Sequence, residues 1–419
     1  MRRSKVLGLL LLVWGCGSGD APPRMPMDLT VDSLNVALAG AFIPHEAQRR
    51  PAVMATLAAM PSDIVCVQEA WNQADKEAIA QAARMRFPHA VYYQHNLDTP
   101  EEAIESDCPV TPAATTPPCA DPTTAMRLNT ALMCLAQNCS TMPGSDQGQT
   151  TTTMCAAERC FAQASGLLVT GGPQGQRCYG CLAPNLPTES FASIRQRCTT
   201  SLRGETAFNG QSGVMILSRY PLSDQGQFVL PGTWNRRVII RATATLPNGA
   251  RVAVYCNHLT PRFDSVTFPY TGRYGCGEVT PDAWAHEQLM QARHLVRYVN
   301  STAGSLPAVI LGDFNSSPAV PAGMVVEEAR ETHDALNMAF PEAVPPGYQA
   351  GCTFCPENSL NDMRTQPVWL DHIYLRNIPV ASVRSLTRTY TQPMVDVPMG
   401  MRVHLSDHYG IRTVVSVAP

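Results

Sequence analysis

The sequence predicts an α/β fold, and three observations carry that expectation. Short apolar, β-branched runs alternate with Ala-rich stretches of helical spacing. One run, Pro307-Ala308-Val309-Ile310-Leu311, stops at Gly312-Asp313-Phe314-Asn315, so a buried strand delivers an acid and an amide to its carboxyl edge, where open α/β sheets bind ligands. Other strand ends repeat the pattern with Gln68-Glu69, Asn257-His258, Asp371-His372 and Ser406-Asp407-His408. Acids, amides and imidazoles drawn from several strand ends suit a hard metal ion and a phosphate ester.

Taken in order, Leu34 to Leu38 reads as a first strand carrying Asn35. Gln48 to Met60 is Ala-rich, with Pro51 suited to a first helical turn, where a missing N–H leaves no bond unmade. Asp63 to Val67 is the next strand, Asp75 to Phe87 places Ile79, Ala82 and Ala83 at helical spacing, and Ala90 to Tyr93 follows as a strand. From Glu101 to Glu205 the rhythm breaks into Pro, Thr, Gly and Cys. Thr111 to Pro118 and Thr150 to Thr153 are so poor in apolar residues that this insertion needs crosslinks to hold a core.

Strand pattern resumes at Gly213 to Pro221. Arg237 to Leu246 and Arg251 to Asn257 are two strands joined through Pro247-Asn248-Gly249, a hairpin signal that predicts antiparallel pairing. Asp282 to Asn300 is a helix with Trp284, Leu289, Leu295, Val296 and Val299 available for burial, and it leads to the strand before Asp313. Val368 to Leu375, Val380 to Thr387 and Tyr409 to Val417 complete the strands, and no internal repeat is present.

The composition, 45% apolar and 16% charged, is that of a soluble globular protein. A net charge of −3 argues against binding to nucleic acid by bulk attraction and leaves a local basic groove as the route to it. Lysine occurs only at Lys5 and Lys76. This Arg preference, with 35 prolines, fits GC-rich codon usage better than dedicated phosphate binding.

The N-terminus reads as an export signal: a basic start, Met1 to Lys5, precedes an apolar run, Val6 to Trp14, too short to span a bilayer. Val13-Trp14-Gly15-Cys16 resembles a bacterial lipoprotein cleavage box with Cys16 as the lipidated residue, and ordinary secretion is the alternative. The expected organisation is a signal over 1–15, a tether over 16–33, and one domain over 34–419 interrupted by a cysteine-rich insertion at 101–205. Fifteen cysteines in an exported chain favour disulfides. Nine fall between Cys108 and Cys198, and three (Cys276, Cys352, Cys355) in later loops, so a bridge is expected to join the insertion to a later loop. Cys66 and Cys256, inside apolar strands, are expected to be buried thiols. Cys178-Tyr-Gly-Cys181 and Cys352-Thr-Phe-Cys355 fit disulfides better than halves of a zinc site.

Seven short pieces, in order, resemble the endonuclease/exonuclease/phosphatase superfamily: Asn35, Gln68-Glu69, Ser212-Gly213 with Ser218-Arg219-Tyr220-Pro221, Asn257-His258-Leu259, Gly312-Asp313-Phe314-Asn315, Leu370-Asp371-His372-Ile373 and Ser406-Asp407-His408. The resemblance covers roughly residues 34 to 99 and 206 to 417. It implies a four-layer sandwich of two mixed β-sheets flanked by helices, and a divalent-metal-dependent phosphoric ester hydrolase. By resemblance, Asn35 and Glu69 are ligands of a catalytic Mg²⁺ (or Mn²⁺ or Ca²⁺), and Asp407 completes or neighbours that site. His408 is the catalytic imidazole, oriented by Asp371; Asp313 and Asn315 position the nucleophile and the phosphoryl oxygens; His258 is a second imidazole. Where some nuclease members carry an acid two residues beyond the first Asn, this chain has Ala37, which argues against a second metal held there.

Val67 to Trp71, Gly213 to Pro221, and Ala285-His286-Glu287 with Gln291 look most similar to secreted neutral sphingomyelinases. The implied substrate is a phosphodiester, phospholipid before nucleic acid, met at a membrane to which an anchor at Cys16 would tether the chain. A secreted endonuclease on DNA or RNA is the alternative, and a non-enzymatic surface binding module a third. Trp71, His286, Arg236 and Arg237 remain open between structural and functional roles.

Overall fold

The computed structural model describes residues 25–94, 106, 108–139, 152–186, 188–263, 268–318 and 324–419. The expected export signal, Cys16 and the first half of the expected tether lie outside the described residues, while from Met27 on the rest of that stretch is strand rather than tether.

The chain begins β1 (Met27–Leu38), α1 (Glu46–Ala59), β2 (Ile64–Ala70), α2 (Gln73–Ala83) and β3 (His89–Tyr92). Five helices follow: α3 (Pro122–Asn138), α4 (Thr152–Arg159), α5 (Phe161–Thr170), α6 (Gly172–Asn185) and α7 (Phe191–Thr200). Then come β4 (Met215–Ser218), β5 (Leu222–Val229), β6 (Val238–Thr245), β7 (Arg251–His258), α8 (Asp282–Ala303), β8 (Ala308–Asp313), α9 (Arg330–Ala339), β9 (Asp371–Arg376), β10 (Val383–Thr389), β11 (Val395–Val397), β12 (Met401–Val403) and β13 (Gly410–Val417).

Two mixed sheets result, in the orders β10-β13-β1-β2-β4-β3 and β5-β6-β7-β8-β9. Alternation along the strands gives each sheet two apolar faces. The inner faces meet in a core that includes Val31, Ile64 and Ile216 from one sheet and Val254, Val309, Leu311 and Ile373 from the other. The outer face of the first sheet (Leu34, Val36, Val65, Val67) is covered by Val53 and Leu57 of α1 and Ile79 and Ala83 of α2. That of the second (Ile239, Tyr255, Ile310, Tyr374) is covered by Leu295 and Val299 of α8 and Leu336 of α9. This is the expected four-layer arrangement, and the β6–β7 hairpin pairs antiparallel as its turn predicts.

Cys66 and Cys256 are not thiols. They face each other across the central core and form a disulfide joining β2 to β7, hence one sheet to the other. Each sits on the inner face of its strand, so the burial that suggested inert thiols also brings the two sulfurs together.

Within the cysteine-rich stretch, bridges join Cys119 to Cys178, Cys134 to Cys160, Cys139 to Cys155 and Cys181 to Cys198. Cys108 reaches out to Cys276, a bridge of the kind the odd cysteine counts demand. Cys178 and Cys181 have separate partners, and Cys352 pairs with Cys355. The stretch is more helical than its Pro, Thr and Gly content suggests. Asp121 caps α3 by accepting from the N–H groups of Thr123 and Thr124, Pro122 occupies the first turn, and Leu128, Ala131, Leu132 and Leu135 form one buried stripe. That stripe packs with the cystines, Leu167, Leu182 and Ile194 against Trp234, Tyr270 and Trp284 of the α/β body.

Candidate active site

The polar strand ends converge on one edge of the sandwich. β1, β2, β7 and β8 bring their carboxyl ends there, carrying Asn35, Glu69, His258 and Asp313. The sequence pattern sets Asp371 at the carboxyl end of a strand, yet it is the first residue of β9, which runs antiparallel to β8. Antiparallel pairing brings its amino end to the same edge. The register is direct: His258 pairs with Asp313 across β7–β8, and Asp313 with Asp371 across β8–β9. Asp407 and His408 arrive just before β13, from the other sheet.

Glu69 (φ 60°) and Asn315 (φ 48°) adopt the left-handed conformation that L-residues avoid. Such strain persists only where surroundings impose it and is concentrated at functional sites. At Glu69 the surroundings include Gly213, whose carbonyl accepts from the Ala70 N–H at 3.0 Å. A Cβ on Gly213 would stand 2.9 Å from the Glu69 Cα, so this approach excludes any side chain there.

Asp313 is the hub. Its Oδ2 accepts from Asn35 Nδ2 (3.0 Å) and lies 3.5 Å from His258 Nε2 and 3.7 Å from His408 Nε2. Its Oδ1 accepts from the Asn315 backbone N–H (2.9 Å), and Asn315 Nδ2 donates to the Leu259 carbonyl (2.9 Å). His408 Nδ1 meets Asp371 Oδ2 at 2.9 Å. Ser406 Oγ donates to Asp407 Oδ1 and accepts from the His408 N–H. Glu69, with 21% of its side chain exposed, stands 3.9 Å from His258 and hydrogen bonds Asn35.

Burial and crowding of like charge set the protonation states. Burial pushes the Glu69 carboxyl up to about 7, aided by the charges of Asp407 and Asp313 and opposed by His408 and Asn35. Burial likewise raises Asp313 to about 6, against the pull of His408. Burial works to lower His408, but the carboxylates of Asp371, Asp313 and Asp407 outweigh it and hold the imidazole well above its ordinary value. His258 goes the other way, held well below by burial and by the charges of Arg237 and His408, and is a neutral imidazole.

A divalent cation fits this arrangement. The donor set is oxygen-rich, with Asn35, Glu69, Asp313 and Asp407 crowded together, and a cation would offset the burial and, beside it, the like-charge repulsion that raise Glu69. One ligand atom each from Asp313, Asp371 and His408 also lies within 4.8 Å of the others.

The Endonuclease/Exonuclease/phosphatase family matches residues 33–408. The chain belongs to this family. Among solved structures it is similar to SmcL, with 14% identity, a TM-score of 0.50, and 93% of this chain and 99% of that one covered. It is also similar to beta toxin from Staphylococcus aureus in a variant with bound magnesium ions, with 16% identity, a TM-score of 0.50, and 93% and 100% covered. At these identities the likeness concerns the fold. No curated protein sequence matches the chain.

Within this family member, several residues left open find a place. Arg237 is 2% exposed, and its Nε and one Nη have no hydrogen-bond partner. Its guanidinium lies 5.3 Å over the Trp71 ring, and burial lowers it to about 10 against the attraction of Glu69, Asp313 and Glu287. Trp71 stacks on Phe208 and leans on His258, with ring centroids 5.0 and 5.8 Å apart. Arg236 instead donates to the Tyr93 hydroxyl, and His286 lines a cavity beside the Cys108–Cys276 bridge.

Glu287 accepts from the backbone and hydroxyl of Thr233 and from the Tyr270 hydroxyl, while Gln288 donates to the carbonyls of Thr260 and Asn315. Helix α8 thus braces the loops that carry His258 and Asn315. His372 packs on the far side of β9, both ring nitrogens engaged by Glu342 and the Ser316 carbonyl. In the Ser218-Arg219-Tyr220-Pro221 motif, Arg219 and Tyr220 both bond Asp63, at the start of β2 rather than at the site.

Proposed function

We propose that this chain is an exported, divalent-metal-dependent phosphodiesterase working by a single in-line attack of water. The observation that carries this reading is Asp313 Oδ2 standing between two imidazoles, 3.5 Å from neutral His258 and 3.7 Å from His408. Asn35, Glu69 and Asp407 would hold Mg²⁺, Mn²⁺ or Ca²⁺. When bound, such an ion would offset charge growing on the phosphoryl oxygens and the carboxylate excess that keeps His408 protonated.

His408, aligned through Nδ1 by Asp371, takes the proton of the attacking water at Nε2. Asp313 and Asn315 hold the water and the phosphoryl oxygens. His258, being neutral, has one N–H to give to a phosphoryl or leaving-group oxygen. The unpaired N–H groups of Arg237 are supplied for a phosphoryl anion. No side chain has to bond covalently to the substrate.

For the substrate, the motif similarity favours choline-type phospholipid diesters over nucleic acid, and a net charge of −3 gives no bulk attraction to a polyanion. A lipid anchor at Cys16 would keep the chain beside its substrate. The test compares phosphocholine release from sphingomyelin vesicles with nicking of plasmid DNA by one preparation in the same Mg²⁺. Phosphocholine release is expected; efficient nicking without it transfers the assignment to the nuclease, and absence of both activities together with no hydrolysis of bis(p-nitrophenyl) phosphate overturns the phosphodiesterase reading.

A further inference from the structure

Asp371 opens β9 of one sheet, and His408 lies two residues before β13 of the other. β9 pairs with β8 in one, and β13 with β1 and β10 in the other, so no strand register fixes the distance between the two residues. A four-residue ring does, closed by the Cys352–Cys355 disulfide.

Thr353 and Phe354 inside that ring bond both partners. The fully buried Thr353 Oγ1 accepts from the N–H groups of Leu370 (3.0 Å) and Asp371 (3.2 Å). The Thr353 carbonyl accepts from the Tyr409 N–H at 2.7 Å, next to His408. Phe354 forms a β-bridge to His408 and packs against its ring at 5.1 Å. The ring is tethered in turn: Arg388 donates to the Cys352 carbonyl, and Asn361 Nδ2 donates to the carbonyls of both Cys355 and Asp407.

We propose that Thr353, clamped in the Cys352–Cys355 ring, is a positioning residue that sets the Asp371–His408 pair. The proposal rests on the reading of that pair as the proton-accepting one. A hydroxyl that accepts two consecutive backbone N–H groups fixes the backbone from which the Asp371 side chain projects, and its own carbonyl fixes the start of β13. Removing the acceptor alone leaves the ring's apolar packing in place but frees Asp371 to move, and a displacement near 1 Å costs on the order of 100-fold in rate.

The test uses the full Mg²⁺-loaded chain with bis(p-nitrophenyl) phosphate as substrate. Thr353→Val, which keeps the shape and loses the acceptor, is expected to lower kcat at least about tenfold with KM changed less than about twofold. Thr353→Ser, which keeps the hydroxyl, is expected to restore kcat to near wild type. The paired change Cys352→Ser with Cys355→Ser is expected to lower kcat in the same direction, since it opens the ring. Unchanged kcat in Thr353→Val, or a Thr353→Ser variant as impaired as Thr353→Val, overturns the proposal.

Hydrogen exchange separates this outcome from failure of the phosphodiesterase reading. If the wild-type chain hydrolyses no phosphate ester, that reading falls. Thr353→Val must still speed exchange at the Leu370 and Asp371 amides without speeding it across β8, and unchanged protection there overturns the positioning role.

Discussion

The Arg237 guanidinium lies 5.3 Å over the Trp71 indole, buried and with two of its nitrogens lacking any hydrogen-bond partner. A charge kept out of water without a carboxylate bonded to it weakens the fold, and the ring quadrupole returns only part of that cost. Arg237→Met should therefore lower kcat/KM about 100-fold while leaving thermal stability unchanged or improved. Steady-state kinetics and a melting curve on one preparation check both halves. A lower Tm with full activity would make Arg237 a structural residue.

His408→Ala and Glu69→Ala should each cost turnover about 100-fold or more, the usual contribution of a positioned general base and of a metal. Excess chelator should abolish wild-type activity, and Mg²⁺ or Mn²⁺ should restore it. Full turnover by folded His408→Ala, or in chelator, would defeat the mechanism.

Cation binding should be linked to pH. In the metal-free chain Glu69 is raised from 4.5 to about 7 and Asp313 from 3.8 to about 6. Both carboxyls therefore bind more protons folded than unfolded between about pH 4 and about 7, so their contribution to metal-free stability falls as pH rises through that window. A cation that takes the ionised carboxylates acts oppositely. The gain in Tm on adding Mg²⁺ should grow from about pH 5 to about pH 8, and scanning calorimetry showing equal gains would contradict the linkage.

The Cys66–Cys256 bridge spans 190 residues of sequence and is fully buried. In the chain-entropy account, closing a loop of that size stabilises by about 5 kcal/mol. Replacing both residues with Ala should remove a comparable part of the folding free energy in denaturant titration. Under mild reductant, alkylation should reach the partly exposed Cys139, bridged to Cys155, well before Cys66. Early labelling of Cys66 would mean that the sheets part more readily than their packing indicates.

The sequence made the site legible where an apolar run ended in residues a core does not hold: Glu69, His258 and Asp313 each stop such a run. It does not show strand direction, and the apolar run before Asp371 points to a carboxyl end where β9 has its amino end. Nothing in Asn235-Arg236-Arg237-Val238 separates the two arginines. Only packing does so, by giving Arg236 the Tyr93 hydroxyl and leaving Nε and one Nη of Arg237 without a hydrogen-bond partner. The cystine between the sheets was hidden because an apolar run around a cysteine is equally consistent with a thiol. α3 was visible in the Asp121-Pro122 start and the spacing of Leu128, Leu132 and Leu135, under the weight of neighbouring Pro and Thr. β5 escapes the pattern because half of its residues, Ser223, Asp224, Gln225 and Gln227, are polar and exposed.

The bond between Cys66 and Cys256 also limits how the molecule can move. Half of the polar rim rides on each sheet, and a covalent rivet close beneath that rim stops the halves from gaping like a clam. Turnover then has no clam-shell step to wait for: a substrate must fit the rim as it stands, and only the loops around it are free to adjust. It also ties competence to compartment. In a reducing cytosol the same chain would lack its rivet, and the two halves of the rim would be held in register by packing alone.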